Sequence, residues 1–88
     1  MKTFEGKVTI VTGGSSGLGA AAALQFAREG AKVVIAARRN DKSEAVVRQI
    51  EELGTEGLFL QTDVSKRADI EALVEATLAR FGRLDCAV

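Results

Sequence analysis

The segment KVTIVTGGSSGLGAAAALQF, residues 7–26, decides the fold of this chain. It opens with the β-branched run Lys7–Thr12, which is typical of a strand that is buried on both faces. Glycine and serine follow, and the Ala-rich stretch Gly17–Glu29 then predicts a helix, because most of its residues are strong helix formers. Gly30 is the predicted C-terminal cap of that helix. A strand, a glycine-rich loop and a helix therefore follow one another directly.

The rest of the chain repeats this alternation of strand and helix. Asp41 and Glu44 have the spacing of a capping box, with Asp in place of the usual Ser or Thr. Ser65 is the predicted N-cap of the last helix. The predicted elements are a strand at Lys32–Ala37, a helix from Asp41 to Gly54, a strand at Leu58–Leu60, a helix from Ser65 to Gly82 and a strand at Leu84–Val88. The predicted apolar face of the last helix consists of Ile70, Leu73, Val74, Thr77 and Phe81.

The order βαβαβαβ with short connections indicates the fold class. It predicts an α/β fold, a Rossmann-type parallel sheet with flanking helices and right-handed crossovers, which is part of a doubly wound arrangement. A short fourth strand with no helix behind it would leave apolar faces and a sheet edge open. We therefore expect residues 1–88 to be the N-terminal part of a single Rossmann-type domain, truncated after the fourth strand.

Charge and composition argue against several functional classes. The chain has 12 Lys and Arg against 12 Asp and Glu, so no net basic field attracts nucleic acid and we expect no such partner. Its apolar runs are about as long as a strand, far below the roughly 20 residues that cross a bilayer, so no membrane span is predicted. The start of the chain lacks the apolar core of a signal peptide, and the single Cys86 cannot form an internal disulfide. These features favour a cytoplasmic location.

The glycine-rich loop predicts a phosphate-binding site. Glycines let the backbone approach a pyrophosphate, whose charge is favoured by the free N–H groups at the start of a helix. The predicted cofactor-binding residues of the loop are Gly13, Ser15, Ser16, Gly17, Leu18 and Gly19. A Walker A loop is disfavoured, because Ala20 occupies the position of its lysine. A flexible loop whose glycines only turn the chain is the alternative that stays open.

The string T-G-x-x-x-G-x-G, at Thr12–Gly19, resembles the cofactor motif of the short-chain dehydrogenase/reductase family. The likeness covers the whole chain, with further landmarks at Gly6–Val8, Asp63–Ser65 and Phe81–Asp85. The spacing of the glycines is similar to that of the shorter branch of the family rather than the extended one. The resemblance implies an NAD(P)-dependent oxidoreductase that acts on a carbonyl or alcohol of a small-molecule substrate, and a homo-oligomer when full length.

The choice of cofactor depends on the residues that follow the second strand. An acidic side chain there would bind the ribose hydroxyls of NAD, whereas a basic one would pair with the 2′-phosphate of NADP. This chain has Arg38 and Arg39 at that point, so NADP is favoured over NAD. Two solvated surface arginines are the alternative. The loop residues Ser15 and Ser16 stand where NADP-binding relatives often add a basic residue, and we therefore expect phosphate recognition at a single point.

The resemblance also implies roles for Asp63 and Val64. The Asp63 carboxylate would accept a hydrogen bond from the adenine amino group, and Val64 would pack near the ring. Alternatively, Asp63 would accept hydrogen bonds from backbone N–H groups of its own turn, and the two roles are compatible. Cys86 is predicted to be an inert thiol on a buried strand, Asp85 to lie at a strand entry without a catalytic partner, and no metal site is predicted.

No catalytic residue is predicted within the chain. The family's hydride transfer relies on a Tyr, a Lys, a Ser and an Asn, and this chain contains no Tyr and no His. It also ends where the family's Asn-Asn-Ala-Gly segment is expected to follow. We therefore expect the 88-residue chain alone to be catalytically inactive. A stand-alone nucleotide-binding or protein-interaction module and a family member with non-redox chemistry are the alternatives.

Overall fold

The computed structural model describes residues 4–13, 17–38 and 42–87. Within these residues, a four-stranded sheet is flanked by three helices, and every strand pair is parallel. The strands are β1 (Val8–Thr12), β2 (Lys32–Ala37), β3 (Gly57–Gln61) and β4 (Cys86–Ala87), and the helices are α1 (Gly17–Arg28), α2 (Ser43–Glu52) and α3 (Arg67–Phe81). The strand order is β3-β2-β1-β4, and the predicted βαβαβαβ Rossmann-type fold is confirmed.

The two central strands are the most deeply buried part of the molecule. In β2 the four residues 33–36 are all fully buried, and in β1 residues 8–11 are at most 2% exposed. Strands that are covered on both faces require apolar residues at successive positions, not only at alternate ones. The continuous β-branched runs of the sequence meet this requirement.

The helices cover opposite faces of the sheet. On one face, α1 and α2 pack against alternate strand residues that include Val11 and Ile35. On the other face, Leu73 of α3 packs against the intervening residues, among them Ile10 and Val34. The helix between β3 and β4 therefore crosses the other face of the sheet, and β4 pairs with β1 on the side of β1 that faces away from β2. The carboxyl ends of β1 and β4 consequently flank a topological switch point, where open α/β sheets bind their ligands.

Glycines end the helices as the sequence predicts. Gly82 is the C-cap residue of α3 in the left-handed region, with a φ of 77°, and its N–H donates to the Leu78 carbonyl at 2.8 Å. Gly30 follows α1 with a φ of 92°, and a Cβ there would lie 3.0 Å from the Cα of Glu5. Both positions disfavour other residues, since Gly82 and Gly30 adopt a backbone conformation that L side chains rarely reach. Gly54 likewise follows the end of α2 with a positive φ.

The predicted N-caps of α2 and α3 are not the ones observed. The structure begins α3 at Arg67 with Lys66 as its N-cap residue, so the prediction for Ser65 is wrong. The Ser65 hydroxyl and the Ser65 N–H instead donate to Asp63 Oδ1, at 2.6 and 3.0 Å, so Ser65 belongs to the turn before the helix. Asp41, the predicted start of α2, lies outside the described residues. The N-cap residue of α2 is Lys42, which makes no side-chain capping bond.

The buried face of α3 is narrower than predicted. Leu73 and Thr77 are buried, whereas Ile70 is 42% exposed, so its assignment to the buried face is wrong. Thr77 can be buried because its hydroxyl donates to the Leu73 carbonyl at 2.8 Å. The contact with the sheet is therefore concentrated on one residue per turn.

The fourth strand is shorter than predicted and starts at an anchored aspartate. Cys86 and Ala87 pair with β1, and Cys86 is only partly buried, because it lies on an edge strand. Asp85 just before it accepts a hydrogen bond from the Val8 N–H at 2.9 Å and two from the Arg83 guanidinium, at 2.6 and 2.8 Å. These bonds lower the pKa of Asp85 to about 2, and the hydrogen bonds from Arg83 have the largest effect. Val88 lies outside the described residues.

Candidate functional site

Three of the predicted site segments meet at one edge of the sheet. They follow the carboxyl ends of β1, β2 and β3, which are neighbours in the strand order. The Gly13 N–H donates to the Ala36 carbonyl at 2.8 Å, and the Thr62 N–H donates to the Ala37 carbonyl at 2.9 Å. These bonds continue the strand pairing past the strand ends and place Gly13, Arg38 and Asp63 along a common edge. We call this the carboxyl edge.

Gly13 and Gly17, which flank the predicted phosphate-binding loop, face open space at the carboxyl edge. Gly13 has a φ of 68°, and a Cβ added to Gly13 or to Gly17 would meet no atom within 4 Å. Gly17, Leu18 and Gly19 form the first turn of α1, which carries no acidic side chain. A pyrophosphate fits this arrangement, because its charge is favoured at the positive end of a helix and open space lies beside the glycines. The predicted loop residues Ser15 and Ser16 lie outside the described residues.

Two apolar side chains at this edge are unusually exposed. Leu18 in the first turn of α1 is 91% exposed, and Val64 after β3 is 51% exposed. An exposed apolar residue has no structural role in the core, although single ones are common on protein surfaces. Both were predicted to contact the cofactor, and their exposure leaves them accessible to a flat, partly apolar group such as a nucleoside.

Arg38 lies directly after β2 and is exposed. Its backbone carbonyl accepts a hydrogen bond from Gln61 Nε2 at 3.1 Å, so the end of β3 holds the end of β2 in place. Its guanidinium forms no ion pair with the described residues. The guanidinium is therefore available to an anion. The neighbouring Arg39, which was predicted to share this role, lies outside the described residues.

Asp63 has the local role that the sequence left open. Its Oδ1 accepts hydrogen bonds from the Ser65 hydroxyl at 2.6 Å and from the Ser65 N–H at 3.0 Å. These bonds lower the pKa of Asp63, and the positive charges of Arg38 and Lys66 lower it further. Among the described residues no hydrogen bond to Oδ2 is observed, so this oxygen can still accept one from a ligand. The contact with adenine stays a prediction.

A cavity of about 390 Å³ lies between the ends of β2 and β3. We call it the edge cavity; its lining residues are Arg38, Gln61, Thr62, Asp63, Lys66 and Asp69. The sequence did not indicate Gln61, Lys66 or Asp69. A signal existed for Gln61, because it ends β3 opposite Ala37 and its side chain can reach Arg38, the residue that follows β2. Lys66 was not predicted to line the site, because the sequence placed it within the helix that was expected to begin at Ser65.

The described residues contain no group of three or more His, Cys, Asp or Glu side chains placed to hold a metal ion. None of the described helices is both long enough and apolar enough to cross a bilayer.

The family model described as short chain dehydrogenase matches residues 7–88. The chain belongs to the short-chain dehydrogenase/reductase family. This membership confirms the resemblance read from Thr12–Gly19. Short-chain dehydrogenases use nicotinamide dinucleotide cofactors, act on small molecules and typically form oligomers.

Individual members of the short-chain dehydrogenase/reductase family show how much of the fold this chain represents. An uncharacterized oxidoreductase of Listeria monocytogenes is 48% identical over 83 residues, which are 94% of this chain and 34% of that protein. The 3beta-hydroxysteroid dehydrogenase of Mediterraneibacter gnavus is 41% identical over 88 residues, 100% of this chain and 32% of that protein. The apo crystal structure of Caenorhabditis elegans glucose dehydrogenase superposes with a TM-score of 0.88 at 39% identity, covering 97% of this chain and 37% of that one. This chain thus spans about a third of the length of the curated relatives that it matches.

Proposed function

We propose that this chain binds NADP(H) as the cofactor-binding N-terminal part of a dehydrogenase or reductase that interconverts a carbonyl and an alcohol. The observation that carries the proposal is the carboxyl edge. Four features follow the ends of three adjacent parallel strands there. They are an open glycine turn, a helix start without acidic side chains, an arginine without an ion pair to any described residue, and an aspartate with an available oxygen. A dinucleotide is long enough to need all of these features along one edge.

Each part of the cofactor has a proposed partner at the carboxyl edge. The pyrophosphate lies against the glycine loop, where Gly13, Ser15, Ser16, Gly17, Leu18 and Gly19 are the proposed binding residues. The adenine amino group donates to the available oxygen of Asp63, and Val64 contacts the ring. Arg38 and Arg39 bind the 2′-phosphate, because a guanidinium matches phosphate oxygens with paired N–H donors.

The chemistry of the reaction is supplied mostly from outside the described residues. When bound, the cofactor supplies or accepts the hydride. Within this chain, Asp63 and Arg38 orient the adenosine end, and none of the residues at the carboxyl edge is proposed to move a proton to or from a substrate. The 88-residue chain on its own should therefore bind the cofactor without turning over a carbonyl. The names of the relatives, such as glucose dehydrogenase and 3beta-hydroxysteroid dehydrogenase, span several substrate classes, so we assign no substrate.

Calorimetry with NADPH and NADH tests the cofactor proposal. Wild-type protein should bind NADPH more tightly, and Arg38→Ala should reduce that preference about tenfold, because a charge-assisted contact with the phosphate is lost. Arg28→Ala is the matched control. It removes the same side chain from the last turn of α1, at the opposite edge of the sheet, and should leave both affinities unchanged. Equal affinities of the wild-type protein for NADPH and NADH would overturn the NADP assignment.

The intact mass of the protein from its source tests the enzyme part of the proposal. A mass well above 9.3 kDa would place these residues in a longer oxidoreductase, for which we also propose a cytoplasmic location and a homo-oligomeric assembly. A mass of 9.3 kDa would favour a non-catalytic binding module. NADPH oxidation with carbonyl substrates, measured on the same sample, distinguishes the two independently of the mass.

A further inference from the structure

The edge cavity contains a positive charge that the sequence did not indicate. Arg38 reaches the cavity from the end of β2, and Lys66 reaches it from the residue just before α3. The two residues belong to different elements and lie 28 positions apart in the sequence, so only the tertiary structure brings them to one cavity. Both are close enough to the Asp63 carboxylate to lower its pKa.

The charges around the edge cavity differ in how they are satisfied. Asp63 accepts two hydrogen bonds from Ser65, and Asp69 Oδ2 accepts one from the Asp63 N–H at 2.9 Å. These carboxylates therefore stabilise the turn before α3. By contrast, neither Arg38 nor Lys66 forms an ion pair within 4 Å with any described residue. The cavity is lined by two cationic and two anionic side chains. Within the described part of the chain, both carboxylates accept hydrogen bonds, whereas the two cations form no ion pair.

We propose that Lys66 is a further cation for the 2′-phosphate of NADP(H), in the edge cavity that it lines together with Arg38. This inference rests on the proposed function, since it concerns the same cofactor and the same edge. It replaces the expectation of recognition at a single point. The serines of the glycine loop provide no charge, and Lys66 supplies a positive charge from the residue before α3 instead.

The turn before α3 preorganises Lys66 for this role. The Lys66 N–H donates to the Asp63 carbonyl at 2.9 Å, and the backbone of Lys66 is extended, with φ −109° and ψ 122°. The Asp63–Ser65 bonds stabilise the same turn. Only the four-carbon side chain of Lys66 is left to order when an anion binds, which limits the entropic cost of the contact.

Calorimetry on Lys66→Gln, with NADPH and NADH as ligands, tests the proposal. The Kd for NADPH should rise about three- to tenfold, as expected for loss of one partly solvated charge contact, while the Kd for NADH is unchanged. The pair 2′,5′-ADP and 5′-AMP should show the same split, because these nucleotides differ in the 2′-phosphate alone. Lys66→Arg should retain most of the preference for the phosphate.

Arg67→Gln is the matched control for Lys66→Gln. It removes one positive charge at the next residue, but the Arg67 side chain is 93% exposed, lies 3.9 Å from Glu71 and does not line the edge cavity. The control should bind both cofactors like the wild type, and an equal loss in Arg67→Gln would overturn the proposal by showing a general field effect.

The remaining outcomes separate this inference from the proposed function. If Lys66→Gln binds NADPH normally while Arg38→Ala does not, the inference is wrong and the NADP assignment stands. A parallel loss of NADPH and NADH affinity in Lys66→Gln would also overturn it, because the contact would then involve a part common to both cofactors. Wild-type protein without a preference for NADPH would remove both proposals together.

Discussion

Two aspartates, Asp63 and Asp85, lie at opposite edges of the same parallel sheet. Asp63 follows the carboxyl end of β3, and Asp85 precedes the amino end of β4. Both have lowered pKa values because hydrogen-bond donors stabilise their ionised forms. At Asp85 both carboxylate oxygens are engaged, by the Arg83 guanidinium and the Val8 N–H. At Asp63 only Oδ1 is engaged within the described part of the chain, by Ser65.

This difference separates a structural carboxylate from one that is able to bind a ligand. Asp85 links β4 to β1, since its own N–H also donates to the Val8 carbonyl at 2.9 Å. Asp63 stabilises a turn and keeps an oxygen available at the carboxyl edge, where Arg38 and Lys66 also lie. We therefore propose that the two edges of the sheet have separate roles, stabilisation at the amino ends of the strands and cofactor binding at the carboxyl edge. This arrangement is common in α/β folds, whose loops at the carboxyl ends of the strands form the sites.

The largest effect on stability is expected for Asp85→Ala. The substitution leaves the Val8 N–H and the Arg83 guanidinium without their acceptor, so the melting temperature should fall by roughly 5 °C. Thermal unfolding followed by circular dichroism measures this change. The affinity of the folded protein for NADPH should be unaffected, and a loss of affinity at temperatures where the variant is folded would contradict the division between the two edges.

Asp63→Ala should show the opposite pattern. It removes the proposed acceptor of the adenine amino group, so the Kd for NADPH and NADH should rise together, by about tenfold. The melting temperature should fall less than in Asp85→Ala, because the bonds that are lost lie within one exposed turn. Calorimetry and thermal unfolding of the two variants in parallel give the comparison. Unchanged affinity for both cofactors would limit Asp63 to its local role.

Acid should weaken the Asp85 anchor within a defined range of pH. The pKa of Asp85 is about 2 in the folded chain and 3.8 ordinarily, so its ionised form stabilises the folded state above about pH 4. This contribution is lost as the pH falls from about 4 to about 2. Asp85→Asn cannot ionise, and the stability difference between it and the wild type should shrink over that range in denaturant titrations. A constant difference from about pH 6 to about pH 2 would show that the charge of Asp85 is not what stabilises the anchor.

The smallest effect is expected for Ser65→Ala. It removes the hydroxyl that donates to Asp63 at 2.6 Å but keeps the backbone donor at the same residue. The pKa of Asp63 should rise toward its ordinary value, as measured by NMR titration of the carboxyl carbon, with little change in melting temperature. The control Ser65→Thr retains a hydroxyl and should keep the low pKa. If Asp63 titrates in Ser65→Ala as it does in the wild type, the hydroxyl is not the main cause of the shift.

Local signals in the sequence were sufficient for most of the fold. The runs Lys7–Thr12 and Lys32–Ala37 predicted the two buried strands, because strands covered on both faces need continuous apolar residues. Gly30 and Gly82 marked helix ends, since a left-handed backbone conformation is a local property of the chain. The position of Arg38 at the carboxyl edge was predictable for a comparable reason. The residue that follows a parallel strand lies at the carboxyl edge whatever packs around it.

The sequence signals failed for two details of the last helix, its N-cap residue and the extent of its buried face. Ser65 is of a residue type that is common at N-caps, but it lies in the turn before the helix, where its hydroxyl donates to Asp63, and the helix starts at Arg67. Ile70 matched the apolar period of α3, but only Leu73 and Thr77 of that face are buried. Neither outcome can be read from spacing, because spacing does not determine the conformation of the preceding turn or how much of the helix the sheet covers.

The sequence by itself determined the order of the elements, the parallel sheet, the membership of the family and the position of the glycine loop. These follow from periodicity, backbone freedom and motif spacing, all of which act within a few residues. Only the tertiary structure decided that Asp85 anchors β4 to β1 and that Arg38 and Lys66 line one cavity. The pairs in question lie 77 and 28 positions apart, and such distant residues meet only when the crossovers have set the strand order β3-β2-β1-β4.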